Sequence, residues 1–217
     1  MASMNDTQLS LPLVDADAAL VERAKAGDFA AFEVLVNQYE RRIFALAMRI
    51  TGNRSDAEEV VQETFLSLVE HISTFAGRSA FATWLLRIAT NHALLVLRKR
   101  KRKPASSLDV AQDDDALTHP RFVAQWKSNP ADLAANSETR QLIDDALQSL
   151  DDKYRLVFVL RDIEGLSTEE AADVLEISVA NAKVRLLRAR LMLREKLTLA
   201  FGDPQHVYPH QHEAAVT

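Results

Sequence analysis

The chain has 217 residues, with 26 Lys plus Arg against 31 Asp plus Glu, a net charge of −5 and no Cys. Absence of Cys excludes disulfides, thiol redox sensing and Cys-ligated zinc, and no run approaches the ~18–20 apolar residues of a membrane span. The acidic total argues against a nucleic-acid partner until it is resolved along the chain: residues 16–103 carry 14 basic and 10 acidic groups, residues 104–136 carry 2 and 5, and Ser178–Leu197 alone holds 6 against 1.

Only 5 Gly and 6 Pro punctuate the sequence, and no stretch sustains period-2 alternation, so the expected fold is all-α. The N-terminus lacks the basic and apolar regions of a signal peptide, which suggests a cytoplasmic protein. Phe29, Phe32, Leu35, Val36, Tyr39, Ile43, Leu46 and Ile50 mark one face of a long helix stopped by Gly52. Ser55-Asp56-Ala57-Glu58 reads as a capping box that opens the next helix, with Val60, Val61, Phe65, Leu68 and Ile72 turned inward. After a loop around Ala76-Gly77-Arg78-Ser79, a helix bearing Trp84, Leu85, Ile88 and Ala89 runs into the basic block Arg98-Lys99-Arg100-Lys101-Arg102-Lys103 and ends at Pro104.

Residues 104–136 are polar, acidic and broken by Pro104, Pro120 and Pro130, and read as a flexible linker with Phe122 and Trp126 as docking points. A coil of this length spans roughly 30 Å and stretches to on the order of 110 Å. Two small helical domains are therefore expected, over 17–103 and 137–198. In the second, Leu142, Ile143, Ala146, Leu147 and Leu150 form one stripe, and Tyr154, Val157, Phe158 and Leu160 another, closed by Gly165. Ser167 caps a short helix with Glu170 three residues on, and Ser178 caps a long basic one after a tight turn, a helix-turn-helix pattern. The tail after Gly202 reads as frayed.

The long helix offers Leu186, Ala189, Leu193 and Leu197 to a core, and Val184, Leu187 and Leu191 on a second stripe flanked by Lys183 and Arg188. Side chains of this kind reach bases in a major groove, with Arg185, Arg190 and Arg194 nearer phosphate; a solvated charged helix in a bundle has the same pattern. Six like charges in the basic block repel one another and call for an anionic partner, although a solvated helix end would also carry them. His206, His210 and His212 lack the company of Cys or carboxylates, so no metal site is expected. No phosphate loop, catalytic carboxylate pair or nucleophile triad is visible, and neither an enzyme nor a cofactor is expected.

The run Asp56-Ala57-Glu58-Glu59-Val60-Val61-Gln62-Glu63-Thr64-Phe65, the run Phe81-Ala82-Thr83-Trp84-Leu85-Leu86-Arg87-Ile88-Ala89-Thr90-Asn91, and the segment Leu150–Arg194 with Glu164-Gly165-Leu166-Ser167 together resemble regions 2 and 4 of the sigma-70 family, in the compact layout of extracytoplasmic-function (ECF) sigma factors. That resemblance implies a subunit of bacterial RNA polymerase that recognises promoters. Asp56, Glu59, Gln62, Glu63 and Phe65 would then meet the polymerase core, made of its β′ and β subunits. Arg78, Trp84, Arg87, Asn91, Arg98, Lys99, Arg100, Lys101 and Arg102 would meet the −10 element and hold an unstacked base. Asn181, Lys183, Val184, Arg185, Leu187, Arg188 and Arg190 would meet the −35 element. The linker would be extended in that complex, and an anti-sigma factor is an expected further partner.

The sequence departs from the family pattern at Leu95, where Asp is frequent, at Asp151 for Pro, at Glu176 for Gly and over Ala180–Val184. A positive φ at Glu176 would cost about 1–2 kcal/mol. The competing reading from another class is a free-standing helix-turn-helix regulator that binds operator DNA without polymerase.

Overall fold

The structure, a computed structural model, describes residues 14–101, 122–126 and 137–209, with side chains placed over 17–100 and 141–198. The first domain is built from α1 (Val14–Lys25), α2 (Phe29–Thr51), α3 (Arg54–His71) and α4 (Phe81–Lys101), with a single tight helical turn at Ile72–Thr74. The second contains α5 (Ser137–Gln148), α6 (Asp152–Phe158), α7 (Thr168–Val174) and α8 (Val179–Phe201). Both domains are all-helical, as the sequence pattern requires.

Alternation of apolar residues at three- and four-residue steps decides which faces close. Along α2 the buried stripe is Ala31, Leu35, Tyr39, Ile43, Leu46 and Ile50, and it packs on Val60 and Leu68 of α3 and on Leu85 and Leu86 of α4. Phe29 is expected on this face but is 77% exposed; it is the first residue of α2, at the very end of the stripe. Asp28 caps α2 by accepting from the Ala31 amide at 3.1 Å, and Gly52 ends the helix in the left-handed region at φ 65°. The cap of α3 is Asn53 rather than Ser55: its side chain accepts from the Asp56 amide at 3.1 Å, so the helix begins two residues earlier than the capping-box pattern suggested.

In the second domain, Leu147, Leu150, Leu156, Leu160, Ala171 and Val174 close on Leu186, Ala189 and Leu193 of α8. Leu142 and Ile143 leave the expected stripe and are 43% and 39% exposed, one turn beyond the point where α5 meets its neighbours. The buried Arg155 braces the turn between α5 and α6, donating to the carbonyls of Gln148 (3.0 Å) and Leu150 (3.1 Å) and to Asp152 (2.6 Å). Burial pulls its guanidinium below its usual range, and Asp152 partly restores it.

Two segments expected to be irregular are ordered. Phe122–Trp126 forms β1, which pairs antiparallel with β2 (Gly202–Pro209) in the register Phe122 with Pro209 and Val123 with Tyr208, and packs against α8. The side chains of Phe122 and Trp126, read as docking points, lie outside the described ones. This ribbon is the departure from an all-helical chain among the described residues. Most of the linker, along with His210 and His212, lies outside them.

Candidate nucleic-acid interface

On the first domain, four aromatic rings interlock where the loop at 75–80 enters α4. Phe81 stands edge-on to Tyr39 (5.5 Å between centroids) and to Phe75 (5.7 Å), while Trp84 lies 5.1 Å from Phe75 and 5.9 Å from Phe81. Gly77, at φ 67°, lets the loop turn where a side chain would be strained. The rings of Tyr39, Phe75 and Phe81, but not that of Trp84, wall one side of a cleft of about 360 Å³, whose rim also includes Asp17, Gln38 and Arg42. Asp17 is buried and accepts from Gln38 Nε2 at 2.9 Å and from the Tyr39 hydroxyl, tying α1 to α2. Burial, followed by the hydrogen bond to Asp17, pushes the Tyr39 phenol well above its usual range, so it stays protonated and donating. The sequence singled out none of Asp17, Gln38, Tyr39 or Arg42 as functional, because these residues come from helices distant in sequence from the loop they face.

Trp84, Arg87 and Asn91 fall at i, i+3 and i+7 on one side of α4. Trp84 is half-buried in the ring cluster, Arg87 is half-buried, and Asn91 and Arg78 are exposed. Arg98, Lys99 and Arg100 are exposed at the end of α4. The side chain of Lys101, and Arg102 and Lys103 as a whole, lie outside the described residues. The block is not left to repel itself: Lys99 reaches Glu59 at 3.2 Å, and Arg100 reaches Asp56 at 3.4 Å and the Thr51 carbonyl at 3.1 Å. Both ion pairs are solvent-exposed and so of small energetic worth.

Those two acids belong to the other candidate surface. On α3, Glu59, Gln62 and Glu63 are exposed, while Asp56 and Phe65 are half-buried. Beside them Leu66 is 50% and Val69 60% exposed, two apolar residues that the sequence reading passed over. The signal was present, since Gln62, Leu66 and Val69 recur at i, i+4 and i+7, away from the Val60–Thr64–Leu68 stripe that is buried.

In the second domain α7 is closed at both ends. Ser167 accepts from the Glu170 amide at 3.0 Å, and the Glu170 carboxylate accepts in return from the Ser167 amide at 2.8 Å, the capping box read from the sequence. That bond holds the Glu170 carboxyl below its ordinary range. The C-terminal end of α7 is a Schellman turn, in which Ile177 N–H donates to the Ala172 carbonyl (3.0 Å) and Glu176 N–H to that of Asp173 (3.2 Å). Glu176 sits in the left-handed region at φ 55°. Glycine there removes about 1–2 kcal/mol of strain and returns about 0.5–1 kcal/mol of it as unfolded-chain entropy. Glu176→Gly is therefore expected to raise stability by about 0.5–1 kcal/mol, read as a higher urea midpoint at unchanged slope. A midpoint equal to or below that of the parent chain contradicts the strain.

Ser178 caps α8 by accepting from the Asn181 amide at 3.1 Å. Lys183, Val184, Leu187, Arg190 and Arg194 face solvent along this helix, with Val184 at 40% and Leu187 at 49% exposure, and Asn181 is half-buried. Arg190 holds Asp162 with two bonds, at 2.8 and 2.7 Å. Arg185 and Arg188 differ from the expectation: they are 3% and 7% exposed, and Arg188 donates to the Tyr154 hydroxyl at 3.3 Å. On the helical wheel Arg185 lies on the flank of the buried Ala182–Ala189–Leu193 stripe and Arg188 lies next to Val184, and it is α6, whose Tyr154 takes Arg188, that covers this side of the helix. An exposed apolar pair bordered by cations, on the second helix of a capped helix-turn-helix, is the surface that a major groove accepts.

Comparisons with known proteins place both domains. The profile of sigma-70 region 2 matches residues 35–103, and that of sigma-70 region 4 matches residues 140–193. The ECF RNA polymerase sigma-E factor of Haemophilus influenzae is 36% identical over 184 residues, covering 83% of this chain and 95% of that protein. The protein of the same name from Escherichia coli K12 is 36% identical over 185 residues, covering 83% and 94%. Among solved structures, that of CnrH in complex with the cytosolic domain of CnrY aligns with a TM-score of 0.60 at 28% identity, over 85% of this chain and 99% of that one. The sigma factor RpoE of Bartonella quintana, in complex with the anti-sigma factor NepR, shares the fold with a TM-score of 0.56 at 24% identity, over 79% and 98%. Two matched regions in the right order and relatives alike over nearly their whole length leave one conclusion: the chain belongs to the ECF sigma factors of the sigma-70 family.

Proposed function

We propose that this chain binds RNA polymerase core, directs it to a set of promoters and helps to open them, in the cytoplasm and without catalytic chemistry of its own. The observation that carries this reading is the pairing of two different nucleic-acid surfaces in one chain. One is an exposed helix-turn-helix face, and the other is an aromatic-walled cleft flanked by cations. Duplex readout suits the first. The second suits a single strand, whose bases stack on aromatic faces while basic groups track its backbone.

Within this reading, residues 17–103 act as the core-binding and −10 domain, residues 104–136 as the connection, and residues 137–198 as the −35 domain. Lys183, Val184 and Leu187 read base edges, and Asn181 and Arg190 flank them. Arg185 and Arg188, turned inward, support α8 from behind. The cleft at Phe75, Phe81 and Tyr39 receives an unstacked base, with Arg78, Arg87, Asn91 and Arg98–Arg102 along the path of the strand. Unstacking costs a few kcal/mol, which contacts in the cleft offset. The α3 surface with Glu59, Gln62, Glu63, Leu66 and Val69 docks on core, and an anti-sigma factor competes for one or both domains.

No described helix is long and apolar enough to cross a membrane. The test is promoter-specific transcription by purified core with and without this chain. Specific transcripts that depend on the chain are expected. Failure to co-purify with core, together with tight binding to duplex DNA alone, overturns the reading in favour of a free-standing regulator.

A further inference from the structure

The end of α6 is not a regular helix end. Over Val159–Ile163 it widens into a π turn, in which the Glu164 amide donates to the Val159 carbonyl at 2.9 Å. A π turn spans one residue more than an α turn between its bonded groups, so side chains beyond it point in a new direction. Val159 and Leu160 stay in the core, while Asp162 turns to the middle of α8 and meets Arg190. Its Oδ2 accepts from Arg190 Nε at 2.8 Å, and its Oδ1 accepts from Nη2 at 2.7 Å. Two parallel bonds fix the plane of a guanidinium as well as its position. The Asp162 side chain is 20% exposed and that of Arg190 52%, so the acid stands behind and the cation in front.

Arg190 belongs to the solvent-facing row of Lys183, Leu187, Arg190 and Arg194, at i, i+4, i+7 and i+11 of α8. Its charge differs from that of its neighbours. Among the described residues no carboxylate pairs with Lys183 or Arg194, whereas Arg190 and Asp162 together are neutral. An arginine has five N–H groups, and Asp162 takes one at Nε and one at Nη2. The three that remain, both at Nη1 and the second at Nη2, form an outer edge held in a fixed plane. A cation paired this closely attracts distant phosphates little, because the carboxylate cancels its field beyond a few ångströms. It keeps its donors for a partner that arrives in the right place.

We propose that Asp162 is a positioning residue that sets the specificity of the −35 surface: it aims the outer edge of Arg190 at promoter DNA and cancels the charge of Arg190 toward DNA of any other sequence. This role rests on the sigma-factor reading above, in which α8 enters a major groove. Without Asp162, Arg190 swings freely and gains a net charge, so attraction to every duplex rises while the contact on the promoter loses its preset geometry. As a strut of the fold the pair contributes little, since it is solvent-exposed.

The test uses the full chain with purified core, in competition between a promoter duplex identified by the transcription assay above and a mixed-sequence duplex of the same length. Asp162→Asn is expected to lower the ratio of promoter to mixed-sequence affinity by roughly three- to tenfold. Arg190→Lys, which keeps the charge but cannot make the fork, should lower it similarly. On the mixed-sequence duplex the free chain carrying Asp162→Asn should bind more tightly, with a slope of log affinity against log salt steeper by about 0.9, one added phosphate contact. Helical content by circular dichroism controls for folding.

A double-mutant cycle separates aiming from a general packing role. In an Arg190→Ala background Asp162→Asn should leave the ratio unchanged, because the carboxylate then has no guanidinium to aim. A parent-level ratio for Asp162→Asn, an equal fall in the Arg190→Ala background, or mixed-sequence binding no tighter than that of the parent each overturns the proposal. The salt slope on mixed-sequence duplex needs neither promoter nor polymerase, so loss of the sigma-factor reading in the transcription assay is seen separately.

Discussion

Leu187→Asp is expected to lower promoter-specific transcription with core polymerase by about tenfold or more while leaving the melting temperature of the chain unchanged. Leu187 is 49% exposed, so its removal opens no cavity and strands no buried partner. Its worth lies in what it would meet, the thymine methyls or base edges of a major groove, where one good contact discriminates by about 1–3 kcal/mol. The substitution removes that contact and places a carboxylate among phosphates, where it repels them and offsets the attraction of the neighbouring Lys183. Leu187→Ala removes only the apolar contact and should have the smaller effect. Parent-level transcription by Leu187→Asp would separate α8 from promoter reading, whereas a fall in melting temperature would show that the residue had a packing role.

Helix positions from Phe29 onward, the start of α7 and the outward stripe of α8 were legible because each is written in local chemistry, apolar residues every three or four positions and Ser167 with Glu170. By contrast, α1 has too weak a stripe to be read, and the left-handed turn at Glu176 came from the family resemblance. The inward turn of Arg185 and Arg188 was not legible. A wheel gives the angle of a side chain about its own helix, but Tyr154 and the packing of α6 decide which flank is covered. The rim of the cleft was invisible for the same reason, since Asp17, Gln38 and Arg42 approach Phe75 and Phe81 only through packing of α1 and α2 on the loop. Charge was the most misleading guide when summed and the most useful when resolved. The acidic surplus of the chain includes the carboxylates of Glu164 and Asp173, which lie on Arg42, Arg49 and Arg87, and the basic block expected to await DNA already pairs with Asp56 and Glu59.

Phe81→Ala is expected to cost about 3–5 kcal/mol of stability, the range for truncating a buried aromatic ring, measured as a drop in urea midpoint of the full chain. Phe81 is 4% exposed and touches Tyr39, Phe75 and Trp84, so its loss leaves three rings facing a void. A second variant separates packing from function. Phe81→Leu keeps most of the volume and should cost below about 1.5 kcal/mol if the site repacks as conservative core exchanges do. It still removes the edge-on contacts that aim Phe75 and Tyr39 into the cleft, each worth about 0.5–1.5 kcal/mol beyond burial. If the cleft holds an unstacked base, Phe81→Leu should remain folded, keep its binding to core, and show reduced opening of the −10 element by permanganate reactivity. Full opening with Phe81→Leu at normal stability would mean that the rings are only core, and that strand capture belongs to the exposed residues of the loop and α4.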